Sequence, residues 1–136
     1  MLKKTITYTD YNGVTHTEDF YFNLTKAELA DMQMSEKEGY DQKLKNIVEA
    51  KDNRGIYETF KYFVHMSYGE KSVDGKRFMK KDPVTGAPLY IAFTETEAYN
   101  VLFLELIQSD ETMAAFINGI MPKDIAEQLE TQGVKI

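Results

Sequence analysis

The sequence predicts an α+β protein, mainly α, in which an N-terminal β-hairpin is followed by a compact bundle of about five to six helices. Three observations carry that reading. "KKTITYT" and "VTHTEDFYF" are β-prone runs on either side of the turn signal "DYNG". Thr25/Glu28, Ser35/Glu38 and Thr94/Glu97 each place a hydroxyl three residues before a glutamate, the spacing of a helix-opening capping box. Beyond the hairpin, apolar residues recur at helical rather than alternating spacing. With 136 residues, 43% of them hydrophobic, one domain over 1–136 can fill a core.

The hairpin, residues 1–23, has two candidate registers. A two-residue Asn-Gly turn would set Ile6 opposite Asp19 and Tyr8 opposite Thr17. A three-residue loop, Tyr11 to Gly13, sets Ile6 opposite Glu18 and Tyr8 opposite His16. The second gathers Leu2, Ile6, Tyr8, Val14, Phe20 and Phe22 on one face, and a one-residue slip would turn every side chain over. The longer loop is expected, with Gly13 left-handed in a G1 bulge.

Residues 24–121 form the expected helical core. Thr25 caps a first helix that starts at Lys26 and ends near Met34, with Leu24 and Leu29 at staple spacing. A second helix is expected over about 40–51, with Tyr40, Leu44, Ile47 and Val48 on one stripe. Asp52 can cap a third, which carries Ile56, Phe60, Phe63, Val64 and Ser67. Tyr57, Tyr62 and Tyr68 make this helix aromatic on most sides, which places it near the centre of the core. Gly69 is the expected stop.

The stretch "SYGEKSVDGKRF" at 67–78 superficially resembles a phosphate-binding loop. Counted from Gly69, the second glycine of G-x-x-x-x-G-K-[ST] should fall on Asp74, and Gly75-Lys76 is followed by Arg77 instead of a hydroxyl. The acidic residues also lack the alternation of a calcium loop. Residues 69–81 are therefore expected to be a short hairpin turning at Asp74-Gly75.

"DPVTGAPLY" reads as a loop with a short helix over Leu89 to Phe93. Thr94 then opens "ETEAYNVLFLELIQ", whose few polar residues predict a helix buried on several sides, with a strand over 101–107 as the alternative. Ser109 caps a short helix carrying Met113, Phe116 and Ile117, stopped by Asn118-Gly119. Residues 122–136, opened by Pro122 and bearing Ile125 and Leu129, are expected to be a short helix or a loose tail.

Several functions are disfavoured by what is missing. The chain has no cysteine, so disulfides, thiolate metal sites and cysteine nucleophiles are out. His16 and His65 lack ligand spacing, no HExxH is present, and no serine sits in a G-x-S-x-G elbow. No catalytic, cofactor-binding or metal-binding residue is expected. "MLKKTITYTD" is not a signal segment, and the longest apolar run, "VLFLELI", is far too short to cross a membrane. Net charge is −6: residues 51–82 carry eight cationic and five anionic groups, residues 83–136 two and eight. That balance argues against nucleic-acid binding.

The methionines suit gaps in a core first, and they also suit a surface that accepts varied apolar helices. Met113, Phe116, Ile117, Ile120 and Met121 crowd a helix of about nine expected residues, too short to turn all of them inward. They are the expected partner surface, meeting either an apolar helix or a second copy, with Met32 and Met34 on the first helix as the alternative.

"KTITYTDYNGVTHTEDFYFNLTKAEL", "SYGEKSVDGKRF", "TEAYNVLFLEL" and "FINGIMP" together resemble the tail assembly chaperones of long-tailed phages infecting Gram-positive bacteria. The resemblance covers most of residues 3–122. It implies a non-enzymatic protein of the bacterial host cytoplasm that coats and solubilises the tape-measure protein while the tail tube protein assembles around it. It also implies a longer form made by frameshifting. The competing readings are a structural tail component retained in the virion and an acidic inhibitor that mimics DNA.

Overall fold

The hairpin adopts the register that its apolar face favours. In the computed structural model, which describes residues 1–37, 39, 42, 46, 50 and 52–124, strands β1 (Leu2–Thr9) and β2 (Thr15–Phe22) pair with Ile6 opposite Glu18 and Tyr8 opposite His16. Gly13 is left-handed at φ 84°. Ile6 and Phe22 are buried, and Leu2, Tyr8 and Phe20 pack against the core. Val14, expected on this face, is instead exposed, at the turn and before the first residue of β2. Hydroxyl pairs line the opposite face: Thr7–Thr17 at 2.9 Å and Thr9–Thr15 at 3.2 Å.

Helix α1 (Lys26–Ser35) begins at a complete capping box. The Glu28 N–H donates to Thr25 Oγ1 at 3.1 Å, and the Thr25 N–H donates to Glu28 Oε1 at 2.9 Å. The other carboxylate oxygen of Glu28 accepts from Lys80 Nζ at 2.7 Å, and Lys80 also donates to the Met66 carbonyl at 2.8 Å. One glutamate thus caps its helix and ties it to two distant segments. The expected stripe at Tyr40, Leu44, Ile47 and Val48 lies outside the described residues, as does Glu38, the partner proposed for Ser35. Ser35 itself donates back to the Met32 carbonyl at 2.7 Å.

Helix α2 (Asn53–Ser67), capped by Asp52 accepting from the Gly55 N–H, buries Thr59, Phe60, Phe63, Val64 and Ser67. It buries one face in the core, while Tyr57 and Tyr62, whose rings suggested burial on most sides, are exposed. Its end differs from expectation. Gly69 does not stop the helix in a left-handed turn; the chain passes straight into strand β3 (Tyr68–Lys71), which pairs Tyr68 with Phe22 and Gly69 with Tyr21. A Cβ on Gly69 would lie 2.6 Å from both the Met79 carbonyl oxygen and the Phe78 ring. The glycine is needed for close approach of strand β4 (Phe78–Met79). The sheet therefore has four strands in the order β1-β2-β3-β4, and the 69–81 hairpin belongs to it.

The turn between β3 and β4 forms as expected. Ser72 and Arg77 close it with a 2.8 Å backbone bond, Gly75 is left-handed, and Asp74 Oδ1 accepts from the Ser72 hydroxyl and the Lys76 N–H. Helix α3 (Leu89–Thr94) follows the proline-rich loop. Helix α4 (Glu97–Leu106) is capped by Thr96, two residues after the expected Thr94. Thr94 is the last residue of α3 and donates to the Ile91 carbonyl, so it cannot also take the extended cap conformation. Helix α4 packs across β1, and Glu97 at its start, beside Tyr11 of the hairpin turn, raises the pKa of that tyrosine.

Helix α5 (Asp110–Ile120) opens at Ser109 and runs through Asn118-Gly119 instead of stopping there. Gly119 faces Leu2, whose Cδ1 would be 3.0 Å from an added Cβ. The glycine lets the hairpin lie close to the helix.

Two substitutions test this arrangement. Thr25→Ala should cost about 1 kcal/mol through loss of the cap, read as a lower urea midpoint. Gly69→Ala should cost about 1–3 kcal/mol, because the added methyl meets a backbone carbonyl that cannot rotate away. An unchanged midpoint for Gly69→Ala would mean that β4 does not pack as described.

Candidate functional site

The expected partner surface does not survive folding. Phe116 is 1% exposed, and Ile117, Ile120 and Met121 are also buried, while Met113 packs half-buried against the core. The reason is length and partners: α5 has eleven residues, not nine, and packs against α2, α4 and β1. Phe116 meets the rings of Phe22 and Phe60 at 5.3 and 5.8 Å. Those side chains are structural.

The alternative on α1 fares better. Met34 is 84% exposed, and Met32 is half-buried against the core. Helix α1 buries none of its residues completely, so most of its surface faces solvent. A shallow groove at its C-terminal end is bordered by Gln33, Met34, Glu36 and Lys37.

Sequence reasoning missed a second surface. Helix α4 buries Ala98, Leu102, Phe103 and Leu106 along one stripe only. Leu104 is 62% exposed, and Val101 is exposed one turn away. Glu105 beside them is exposed too. Tyr57 of α2 is exposed and packs edge-on against Phe103 at 5.8 Å. The signal available in the sequence was the three-residue spacing of Val101 and Leu104, away from the Ala98–Leu102–Leu106 stripe. High apolar content obscured it.

The titratable groups are tied into structure. His16 Nε2 lies 2.7 Å from Asp10 Oδ2, and its ring stacks on Tyr8 at 5.2 Å. Asp10 Oδ1 accepts from the Asn12 and Val14 N–H groups, closing the turn. The bond with His16, then the Val14 N–H, hold the Asp10 carboxyl below the usual carboxylate range. The Tyr8 hydroxyl donates to Glu18, which pushes it up to about 12. His65 is half-buried: its Nε2 is 3.0 Å from the Tyr99 hydroxyl and its ring stacks on Tyr90 at 4.9 Å. Burial, then nearby Lys61, lower its pKa. Among the described residues no three carboxylates or imidazoles cluster closely enough to hold a metal, and no helix is long and apolar enough to cross a membrane.

A family model described as phage tail assembly chaperone matches residues 1–135. No curated protein and no solved structure matches the chain.

Stability should fall in two steps on acidification. His65 has a depressed native pKa, so its contribution is complete above the unfolded value near 6.5 and is lost as pH falls toward the native value. Asp10, Asp74 and Asp82 are likewise depressed, by His16, the Ser72 hydroxyl and the Thr85 N–H respectively. Their contribution is complete above about pH 3.9 and is lost below it. In thermal melts against pH, His65→Gln should remove the upper step and leave the lower. A retained upper step would assign it to another group.

Proposed function

The chain belongs to the phage tail assembly chaperones, and from that membership we propose that it binds the tape-measure protein and keeps it soluble while the tail tube protein assembles around it. The match over residues 1–135 carries the reading, since it spans nearly the whole chain. The role requires no chemistry. A long helical partner with apolar stripes aggregates unless those stripes are covered, and a small acidic protein bound along it supplies both cover and charge. The place of action on this reading is the cytoplasm of the infected host.

Two exposed strips suit such a partner. Met34, with Met32 behind it, offers a flexible thioether that accommodates varied apolar side chains. Val101 and Leu104 offer an aliphatic strip beside the Glu105 carboxylate, which favours basic edges on the partner helix. Because all of these side chains except Met32 are exposed, substituting them leaves the core intact.

The test is co-expression with a fragment of the phage's tape-measure protein. Wild type should keep the fragment in the soluble fraction. Met34→Asp and Leu104→Asp should each reduce that fraction, and the double variant should abolish it while remaining folded by circular dichroism. If wild type fails to hold the fragment in solution, the function is wrong. If the double variant matches wild type, the function stands but the surface lies elsewhere.

A further inference from the structure

The ladder of the hairpin determines where its backbone groups point. The Asp10 N–H donates to the Val14 carbonyl at 2.8 Å, which makes Asp10 and Val14 a bonded pair. Bonded and non-bonded pairs alternate in an antiparallel ladder. His16, Glu18 and Phe20 are therefore bonded to β1, while Thr15, Thr17 and Asp19 turn N–H and C=O to the other edge. The same alternation continues where β3 arrives: Tyr21 pairs with Gly69, and the Asn23 N–H donates to the Ser67 carbonyl at 2.8 Å. Strand β3 takes only Tyr21 and Phe22. Among the described residues, no strand pairs with Thr15–Phe20 on that edge.

Open edges are usually blunted by lysine, proline or a bulge. Residues 15–20 contain no lysine, proline or glycine. Their two carboxylates are already engaged within the hairpin, Glu18 by the Tyr8 hydroxyl and Asp19 by the Thr5 hydroxyl at 2.6 Å.

We propose that this edge is covered by the same edge of a second copy, paired antiparallel about a two-fold axis through Thr17. The three outward residues are symmetric about Thr17, so the edge is self-complementary. Thr15 meets the partner's Asp19, and Thr17 meets the partner's Thr17, which satisfies every outward N–H and C=O of Thr15, Thr17 and Asp19. The side chains agree with this register. His16 lies opposite the partner's Glu18, and the hydroxyl ladder of the outer face continues across the junction. Val14, 52% exposed in the single chain, lies opposite the partner's Phe20. Beside Phe20 a groove of about 390 Å3 opens between β2 and β3, lined by Tyr21, Tyr68 and Lys71 among others, and it leaves room for the incoming turn. Sliding by two residues sets Glu18 against the partner's Glu18 and Thr15 against the partner's Tyr21, whose backbone is already bonded to β3. Charge and hydrogen bonding both count against that slide.

Sedimentation equilibrium of the full chain should show a reversible monomer–dimer equilibrium. Thr17→Pro removes an edge-facing N–H and no backbone bond to β1, losing there only the exposed hydroxyl pair with Thr7, and Val14→Lys places a cation against the partner's Phe20. Each should weaken dimerisation at least tenfold while the far-ultraviolet spectrum stays that of wild type. The chain has no cysteine, so Thr17→Cys gives a single thiol. Its Cα would lie about 5.5 Å from its symmetry mate, within disulfide range, and mild oxidation should link the dimer. Thr7→Cys, on the same face but roughly 14 Å from its mate across three strand spacings, should not link. A single monomeric species at every concentration overturns the proposal. So does a dimer that neither Thr17→Pro nor Val14→Lys weakens, or one in which the two cysteine variants cross-link equally.

Discussion

Phe22 has no exposed surface, and its ring meets those of Tyr68, Phe93 and Phe116 at 5.7, 5.9 and 5.3 Å. Those partners come from β3, α3 and α5, segments separated by up to 94 positions in the chain. The backbone beside the ring is held as tightly. Asn23 donates to the Ser67 carbonyl at the end of α2, and Leu24 donates to the Ile120 carbonyl at the end of α5, both at 2.8 Å. The point where the hairpin ends is thus the point where every described layer meets. Burying one such ring contributes about 1.5–3 kcal/mol, and edge-on aromatic pairs add to it. The hairpin register follows from the same constraint, because a one-residue slip would turn Phe22 and Ile6 out to solvent.

What the sequence made legible was local or periodic. The hairpin register could be read because parity alone decides which face is apolar. The Thr25–Glu28 box could be read because both of its bonds lie within four residues. The turn at Asp74-Gly75 could be read for the same reason, but the extent of β3 and β4 and their joining to β2 could not. Together they span only Tyr68–Lys71 and Phe78–Met79, too short to show alternation, and β3 starts without any break from α2. Gly69 and Gly119 were each read as punctuation. Their role is instead to admit a distant segment, Phe78 and Met79 in one case and Leu2 in the other. A contact between residues far apart in the chain leaves no trace in the spacing around a glycine.

The same limit explains the candidate surface. Apolar side chains crowded on a short helix need not be shed to solvent, because the number a helix can bury depends on how many neighbours surround it. With α2, α4 and β1 all packed against it, α5 buries Phe116, Ile117 and Ile120. Helix α4, the more apolar of the two by inspection, is covered on one side only and leaves Leu104 in solvent. The burial budget of a helix is set by its neighbours, and its own sequence states only what there is to bury. Met34 was legible for a simpler reason, since α1 lies at the rim and buries no residue completely.

The open edge belongs to β2 and the exposed strip to α4, which packs on β1, and this matters for how the two could act together. Helix α4 packs across β1, whereas the unpaired groups of Thr15, Thr17 and Asp19 face away from β1. Joining two copies through β2 as proposed would therefore leave Leu104 free, and would present that strip twice on one rigid body instead of through a flexible tether. On the proposed function, a partner that repeats apolar stripes along its length would meet a second site on the same body at high effective concentration, so weak individual contacts would hold collectively. Weak contacts are also the kind that an assembling tube can displace one at a time. A dimer with shallow, exposed strips meets both requirements, where a single deep groove would meet only the first.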